Sequence, residues 1–569
     1  IAVGAVAFSG LWLFGFQDVT GVELNPIFME LLTKHPFYSD FCRVATLKGI
    51  RLIVDEGRSW FVRSREKFDL IQMSLIDTWA ATGAGAFTLS ENGLYTIEAW
   101  TAFLNRLNDR GIFTVSRWFD TGEANETGRT VSLAAAALMQ RGVTNVRDHM
   151  FVATCGSIAT LLISPAPFSA EDIQALRDKC QNLSYQVLIA PDQSTSSEVL
   201  HGILSATDLP SLYRFTGGLD LNLTPPTDET PFCFNLVPLG NPFKMWRVYK
   251  QTSGRGVISG NLDASLSLLV ILSVSALLVL VTIVVPLFSS TRGINRRLIL
   301  GGTAYFALLG FGFMFVEIGL LQRLSVFLGH PIYSLSVVLF SLIIATGLGS
   351  YCSEKLPLNS RSRIVRWSFL LGLYLLSLPF WLGPLIGACD HFSILVKAMI
   401  SVAVIAPAGM MMGFGFPTGI RLAEAVDHAP TPWFWGINGA TGVLASVLAV
   451  AASIAFGIRM TLIVGGLAYL ALIPCAMLIG FGKVADAPAK SESPTPTRIG
   501  SNPDFASGRS IASGLVHPSA ERCRPGVWLA ATTHTILESP SNTSAGDSWQ
   551  RIEAADRSRC SRQASAPGS

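Results

Sequence analysis

Between residues 264 and 482 the chain passes through about seven stretches of roughly 20 apolar residues, the length a helix needs to cross a hydrocarbon core. Backbone in lipid has no water to bond to, so each stretch is expected to be an α-helix that satisfies its own N–H and C=O groups. The spans are placed near 264–288, 298–321, 331–352, 364–387, 394–420, 433–457 and 460–482. Composition points the same way: 50% of the 569 residues are hydrophobic and 14% charged, where a soluble chain carries about a quarter charged. The excess is uneven. Residues 1–255 mix charge with short apolar runs, as a globular domain does. Residues 484–569, rich in Pro, Ser, Ala and Arg, lack the apolar periodicity to offset ordering entropy and read as a disordered tail. A membrane domain of about seven helices, 256–483, lies between them.

From Asp18 to Ser116 short β-branched runs alternate with helical stretches, the pattern of βαβ units feeding a parallel sheet. Strands are expected at Val19 to Glu23, Arg51 to Asp55, Asp69 to Ser74 and Ile112 to Ser116. Helices are expected at Pro26 to Thr33, with proline in the first turn, and at Glu91 to Asn108, capped by Ser90 and stopping before Gly111. Further on, a helix near Val131 to Gln140 precedes two runs, Asn145 to Thr154 and Ile158 to Ser164, that read as a terminal β-hairpin. A helix at Ala170 to Asn182 and a loop-rich stretch to about Arg255 complete the domain.

Several classes are excluded or disfavoured. A net charge of +3, with no basic cluster interleaved with aromatics, gives no footprint for nucleic acid. The nine cysteines are scattered singly, without metal-site spacing or a disulfide framework, so no metal site is expected. His35, His149 and His201 read as surface or satisfied core residues. The opening Ile-Ala-Val-Gly lacks a basic segment and cleavage site, so it reads as a fragment whose first strand begins upstream.

In an open parallel sheet the ligand binds beyond the carboxyl ends of the strands. Glu23, in Gly21-Val-Glu-Leu-Asn-Pro26, ends the second strand, where a carboxylate can accept from both hydroxyls of a ribose. A lone glutamate there is also plain surface charge. Asp55 ends the third strand before Glu56, Gly57 and Arg58, and its carboxylate can accept from an adenine amino group while the backbone of the glycine turn comes close. After the fourth strand comes Ser74-Leu-Ile-Asp77-Thr-Trp79, where Asp77 reads equally as a loop carboxylate or a catalytic one. Glu91 and Tyr95 read as a helix-start charge and a core aromatic.

Taken in order, these stretches resemble spermidine synthase and its relatives, a branch of the class I S-adenosylmethionine-dependent methyltransferase fold. The likeness rests on Gly21–Pro26, Asp55–Ser59, Lys67-Phe-Asp-Leu-Ile71, Leu89-Ser-Glu-Asn-Gly-Leu-Tyr95 and Pro226-Thr-Asp-Glu-Thr-Pro231. It implies a Rossmann-like α/β domain with a mostly parallel sheet and a terminal antiparallel hairpin, followed by an all-α multi-span membrane domain. It also implies that Glu23 holds the ribose of S-adenosylmethionine or decarboxylated S-adenosylmethionine and that Asp55, with Glu56 and Gly57, holds the adenine. Gly4 then approaches the cosubstrate tail and Asp77 serves the acceptor, an amine or a membrane-associated molecule. Two positions depart from the family: the first loop keeps only Gly4 and Gly10, and Ser74 stands where the family places an aspartate base. The membrane half resembles bacterial fusions of such a domain to membrane helices, at Phe327-Leu-Gly-His-Pro331 and Trp435-Gly-Ile-Asn-Gly439.

Glu317 lies within an apolar span, where function is the default reading of an ionisable group and a fixed pair with Arg323, Lys397 or another helix's dipole is the structural alternative of equal weight. Gly409, Gly413, Gly415 and Pro417, with Gly436, Gly439 and Gly442, predict close helix packing and a broken helix, as in transporters. Arg292, Arg296, Arg297, Lys355, Arg361, Arg363, Arg366 and Arg421 fall on the side away from the soluble domain, which by the positive-inside rule places that domain outside. The need for a cytoplasmic cosubstrate places it inside, and a multi-pass plasma-membrane protein with a cytoplasmic domain is the expectation adopted. A homo-oligomer is compatible with this reading. A transporter or scaffold with a degenerate nucleotide domain is the rival, and an inactive, damaged chain a third reading.

Overall fold

The computed structural model describes residues 2–3, 15–73, 89, 91–120, 125–251, 257–291, 293–358 and 360–480. Gly4, Ser74, Asp77, Ser90 and the tail from 484 onward lie outside them.

Alternating β-branched runs form an eight-stranded mixed sheet: β1 Ala2–Val3, β2 Val19–Glu23, β3 Ile50–Val54, β4 Phe68–Met73, β5 Leu107–Trp118, β6 Met150–Cys155, β7 Ile158–Ile163 and β8 Gln186–Ile189. Their order is β3-β2-β1-β4-β5-β7-β6-β8. The first five pair in parallel and the last three antiparallel, so the order reverses between β1 and β4. Helices α1 Pro26–Thr33, α2 Pro36–Cys42, α3 Gly57–Arg63 and α4 Ile97–Asn105 fill the connections, followed by α5 Glu126–Gln140. Helix α6 Ala170–Asn182 precedes β8, and α7 Glu198–Leu204, α8 Leu209–Gly218 and α9 Pro242–Gln251 lead to the membrane part.

Three expectations shift. The helix expected from Glu91 begins at Ile97, with the Thr96 hydroxyl accepting from the Ala99 N–H. The residues before it are held as a loop, because the N–H groups of Asn92 and Ile97 donate to the carbonyls of Pro231 and Pro226 at 2.7 and 2.9 Å. Strand β5 starts five residues earlier than expected because Leu107 already pairs with Phe68, with the ladder shifting register between Phe68 and Leu70. The hairpin β6–β7 is not terminal, since β8 pairs with β6 as the outer strand.

The soluble core explains α5. Its alanines 134–137 are fully buried because α4, α7 and α8 all pack on it, and only a methyl-sized side chain admits backbones that close. Arg117 is buried with them, its charge paired to Glu126 at 2.7 Å and its guanidinium 4.1 Å from the Phe234 ring centroid. His149 is a satisfied core residue, as expected, with Nδ1 3.0 Å from the Ser164 carbonyl.

The helical part contains seven helices long and apolar enough to cross a membrane, at 260–287, 296–328, 332–355, 361–389, 394–424, 431–456 and 458–479. They are α10 Val257–Val279 with its π-turn continuation, α11 Arg296–Leu328, α12 Pro331–Lys355, α13 Arg361–Cys389, α14 Ile394–Gly413 with α15 Gly415–Glu424, α16 Thr431–Phe456 and α17 Ile458–Ile479. The expected helix break falls at Phe414, between α14 and α15, just ahead of Pro417, which has no N–H to give the carbonyl of Gly413. Glycine sets the closest approach: a Cβ at Gly349 of α12 would collide with the Met410 backbone of α14, and one at Gly413 with the Thr346 carbonyl. Gly349→Ala is therefore expected to lower thermal stability by about 1–3 kcal/mol. Gly347→Ala, where a Cβ meets open space, serves as the reference in the same melting experiment, and equal losses would refute the packing account.

Candidate functional site

The carboxyl ends of β2 and β3 lie side by side. Glu23 pairs in register with Val54, and the Asp55 N–H donates to the Glu23 carbonyl at 3.0 Å. The sheet thus brings Glu23, Asp55, Glu56 and Gly57 to one rim, beside the strands where the order reverses. The Glu23 carboxylate accepts from the Asn25 N–H at 3.0 Å, and Asn25 in turn caps α1 through Ile27. Asp55 accepts from the Glu56 N–H at 2.8 Å and pairs through its other oxygen with Arg63. Glu56 caps α3, accepting from Arg58 and Ser59 at 2.9 and 2.7 Å. Burial pushes the Glu56 carboxyl up, and those two N–H bonds pull it back. Gly57 is buried in the first turn of α3.

Next to this rim is a cavity of about 210 Å³ lined by Leu24, Glu56, Arg58, Glu91, Gly93 and, from the membrane part, Ser325. A larger hollow of about 870 Å³ opens at the amino ends of the strands around Arg51, Glu66 and Lys67, the end where open sheets do not bind ligands. Position rather than size therefore selects the rim. Glu91, read from the sequence as a helix-start charge, sits in the loop before α4 and lines this cavity. Burial pushes its carboxyl up, against its own N–H and the Ser325 hydroxyl, which hold it down.

The sign of this shift gives a test. A carboxyl raised in the fold binds its proton there more tightly than in the unfolded chain, so its contribution is full below the unfolded value near about 4.3 and is lost as pH rises through the folded one. Glu91→Gln is expected to melt higher than the parent at neutral pH, the gap closing on acidification. A gap that stays constant with pH would rule this out.

Arg58 links the rim to the membrane helices. Its Nη1 and Nη2 donate to the two Asp228 carboxylate oxygens at 2.6 and 2.7 Å, and Nη2 lies 3.8 Å from Asp390 at the end of α13. Asp390 pairs at 2.6 Å with Lys397, a cation only 1% exposed in the first turn of α14 that also donates to the Phe327 carbonyl. Burial pushes Asp228 up, yet the Arg58 pair outweighs it and holds the carboxyl below its ordinary value. Glu98, whose carboxylate accepts from the Asp228 N–H at 3.0 Å, is pushed up by burial and by the Asp228 charge. From the membrane side, Arg323 donates to the Asp228 carbonyl at 2.6 Å and pairs with Glu229, and Arg459 also pairs with Glu229.

The two cations that the structural alternative offers to Glu317 are engaged elsewhere: Arg323 with Glu229 and Lys397 with Asp390. Among the described residues no ion pair reaches Glu317. Of the candidates in the sequence, Glu23, Asp55, Glu56 and Gly57 lie at this rim and Gly4 and Asp77 lie outside the described residues, whereas Arg58, Glu98, Asp228 and Asp390 are not among the sequence candidates. The signal available for Asp228 was its place in Pro226-Thr-Asp-Glu-Thr-Pro231; nothing local marks a partner 170 residues away.

Comparison of the chain with models of known protein families finds no match, and comparison with curated proteins finds none either.

Proposed function

We propose that the soluble domain is a spermidine-synthase-like transferase with the class I S-adenosylmethionine-dependent fold, carried on a multi-pass membrane domain. It takes S-adenosylmethionine or decarboxylated S-adenosylmethionine and moves a methyl or aminopropyl group to an amine or a membrane-associated acceptor. The observation that supports this most is the strand order β3-β2-β1-β4-β5 with Glu23 and Asp55 at adjacent carboxyl ends, beside the reversal of order where such sheets bind nucleotides.

In this reading Glu23 accepts from the ribose hydroxyls and Asp55 from the adenine amino group, with the backbone of Glu56 and Gly57 against the base. Gly4 leaves room for the tail. The acceptor nitrogen attacks the carbon bonded to the sulfonium sulfur; that C–S bond breaks with its electron pair returning to sulfur, and Asp77 takes the nitrogen's proton. A thioether nucleoside is the second product. Glu56 and Glu91 in the adjoining cavity suit an acceptor that arrives as a cation. The soluble domain faces the cytoplasm, where the cosubstrate is made.

The test is calorimetric titration of the full chain in detergent with S-adenosylmethionine, its decarboxylated form and the thioether nucleoside product. Saturable heat with at least one supports the reading, and none with all three discards it. A second reading, a transporter or scaffold with a regulatory nucleotide domain, is favoured by Glu317, a carboxyl inside a span that no ion pair reaches among the described residues. Vesicle uptake lost in Glu317→Gln and kept in Asp77→Ala would favour that reading.

A further inference from the structure

Helix α9, ten residues long, is the last element of the soluble domain before the first spanning helix, and it carries Phe243, Trp246 and Tyr249 at 82%, 56% and 60% exposed. At 3.6 residues per turn these three and Lys250 share an arc of about 120°. The Lys250 ammonium lies 3.9 Å from the centre of the Trp246 ring. Three neighbouring rings on so short a helix make a contiguous apolar stripe that is unfavourable in water.

The other faces of α9 are engaged. On the soluble side, Lys244 Nζ donates to the carbonyls of Gly217 and Leu219, both at 2.6 Å, and Arg247 pairs with Asp220 at 3.0 Å, so the end of α8 fixes the rotation of the helix. On the membrane side, Val248 is buried in one cluster with Leu262 of α10, and Met245 packs against it. Leu262 stands near the start of the first candidate span, 260–287. Just ahead of α9, a Cβ added to Gly240 would lie 3.2 Å from the Ala455 carbonyl and 3.4 Å from the Phe456 ring, in the last turn of α16. One span therefore begins and another ends at the level of α9, which puts the helix where hydrocarbon gives way to headgroups. An exposed apolar surface continues from there along α10, through Leu269, Val270 and Ile271.

We infer that α9 is a phospholipid-binding helix at the bilayer surface, its three rings seated between headgroup and acyl chain and Lys250 at the phosphates. Tyrosine and tryptophan suit that boundary because each has an apolar body and one polar O–H or N–H. A lysine there lays its stem along the rings and keeps its ammonium among the headgroups. The inference does not rest on the transferase reading, and the cosubstrate titration can fail while α9 binds lipid, or the reverse.

Photocrosslinking tests this in the full chain. The photoreactive residue p-benzoylphenylalanine replaces Phe243 or, separately, Trp246; both are exposed, so the probe displaces no buried side chain. Each variant is placed in nanodiscs of phosphatidylcholine and phosphatidylglycerol and irradiated, and mass spectra of the products identify what has been joined. Two reference positions are treated alike: Leu277, 60% exposed within the first span, and Tyr185, 41% exposed beside β8 in the soluble domain. Phospholipid adducts are expected at Phe243 and Trp246 at about ten times the Tyr185 level or more. Their new bond should fall in the glycerol or upper chain, whereas adducts at Leu277 should fall farther down the chain. Adducts at both positions no more frequent than at Tyr185 overturn the inference. So do adducts confined to the chain ends, which would sink the helix below the boundary, and cross-links to a second copy of the chain, which would then cover the stripe in place of lipid.

Discussion

Arg58→Ala is expected to lower the stability of the folded chain by about 3–5 kcal/mol, the range for removing one partner of a buried ion pair. The size follows from what is left behind. The Arg58 and Asp228 side chains are 9% and 14% exposed, so without the guanidinium a carboxylate stays in a poorly hydrated place with no bidentate donor. The substitution also removes donors to the Gly93 carbonyl and the Thr96 hydroxyl, at 3.2 and 3.3 Å, which hold the loop lining the rim cavity. Arg58→Lys should recover only part of the loss, since an ammonium cannot present two parallel N–H groups. Because Arg58 and Asp228 share one interaction, Arg58→Ala with Asp228→Ala should cost less than the sum of the two. Thermal melts of the four variants in detergent decide the matter, and Arg58→Ala within about 0.5 kcal/mol of the parent would refute the account. The pH dependence has a definite sign. A carboxyl held low in the fold contributes stability above its unfolded value that is lost as pH falls through the folded one, so the part of acid destabilisation due to Asp228 should shrink in Arg58→Ala.

That network also explains which features were legible in the sequence. Spanning helices depend on local composition, and the spans expected from apolar runs and those observed differ at their ends by up to seven residues. Strands β2 and β3 and helix α1 were legible because β-branched alternation, Pro26 at a first turn and Asn25 as its cap all act within a few residues. The start of α4 was not, since it is fixed by backbone bonds from Asn92 and Ile97 to a loop more than 100 residues later, at Pro226 and Pro231. Strand β8, only four residues long, is stabilised by pairing with β6 rather than by its own pattern. The placing of Glu23 and Asp55 at neighbouring strand ends was legible because strand ends are local features. Arg58, Asp228, Asp390 and Lys397 become one chain of charges only when the soluble loop meets the ends of α13 and α14. The partner of a buried charge is a tertiary fact; for the same reason the sequence could name Arg323 and Lys397 only as an alternative for Glu317, and they pair with Glu229 and Asp390 instead.

Glu23→Ala and Asp55→Ala are each expected to weaken cosubstrate binding by about 10- to 100-fold, the value of roughly 1.5–3 kcal/mol for a hydrogen bond to a charged group. The two carboxylates differ in what else they hold. Among the described residues the Glu23 carboxylate accepts from the Asn25 N–H alone, so its substitution should leave the fold nearly intact and lower affinity alone. Asp55 already accepts from Glu56 and pairs with Arg63, but an ionised carboxylate offers about four acceptor positions, which leaves room for an adenine amino group. Its removal also strands Arg63, so Asp55→Ala should show a loss of melting temperature as well as of affinity, whereas Asp55→Asn should keep more of the fold. If the two side chains grip different parts of one nucleoside, ribose and base, the double substitution should approach the product of the single effects, roughly 100- to 10,000-fold. Glu30→Ala, on the exposed face of α1, is the control expected to titrate as the parent. Saturable cosubstrate heat that survives unchanged in both Glu23→Ala and Asp55→Ala would mean that the nucleoside sits elsewhere, and the rim of the sheet would then have no claim to be the binding site.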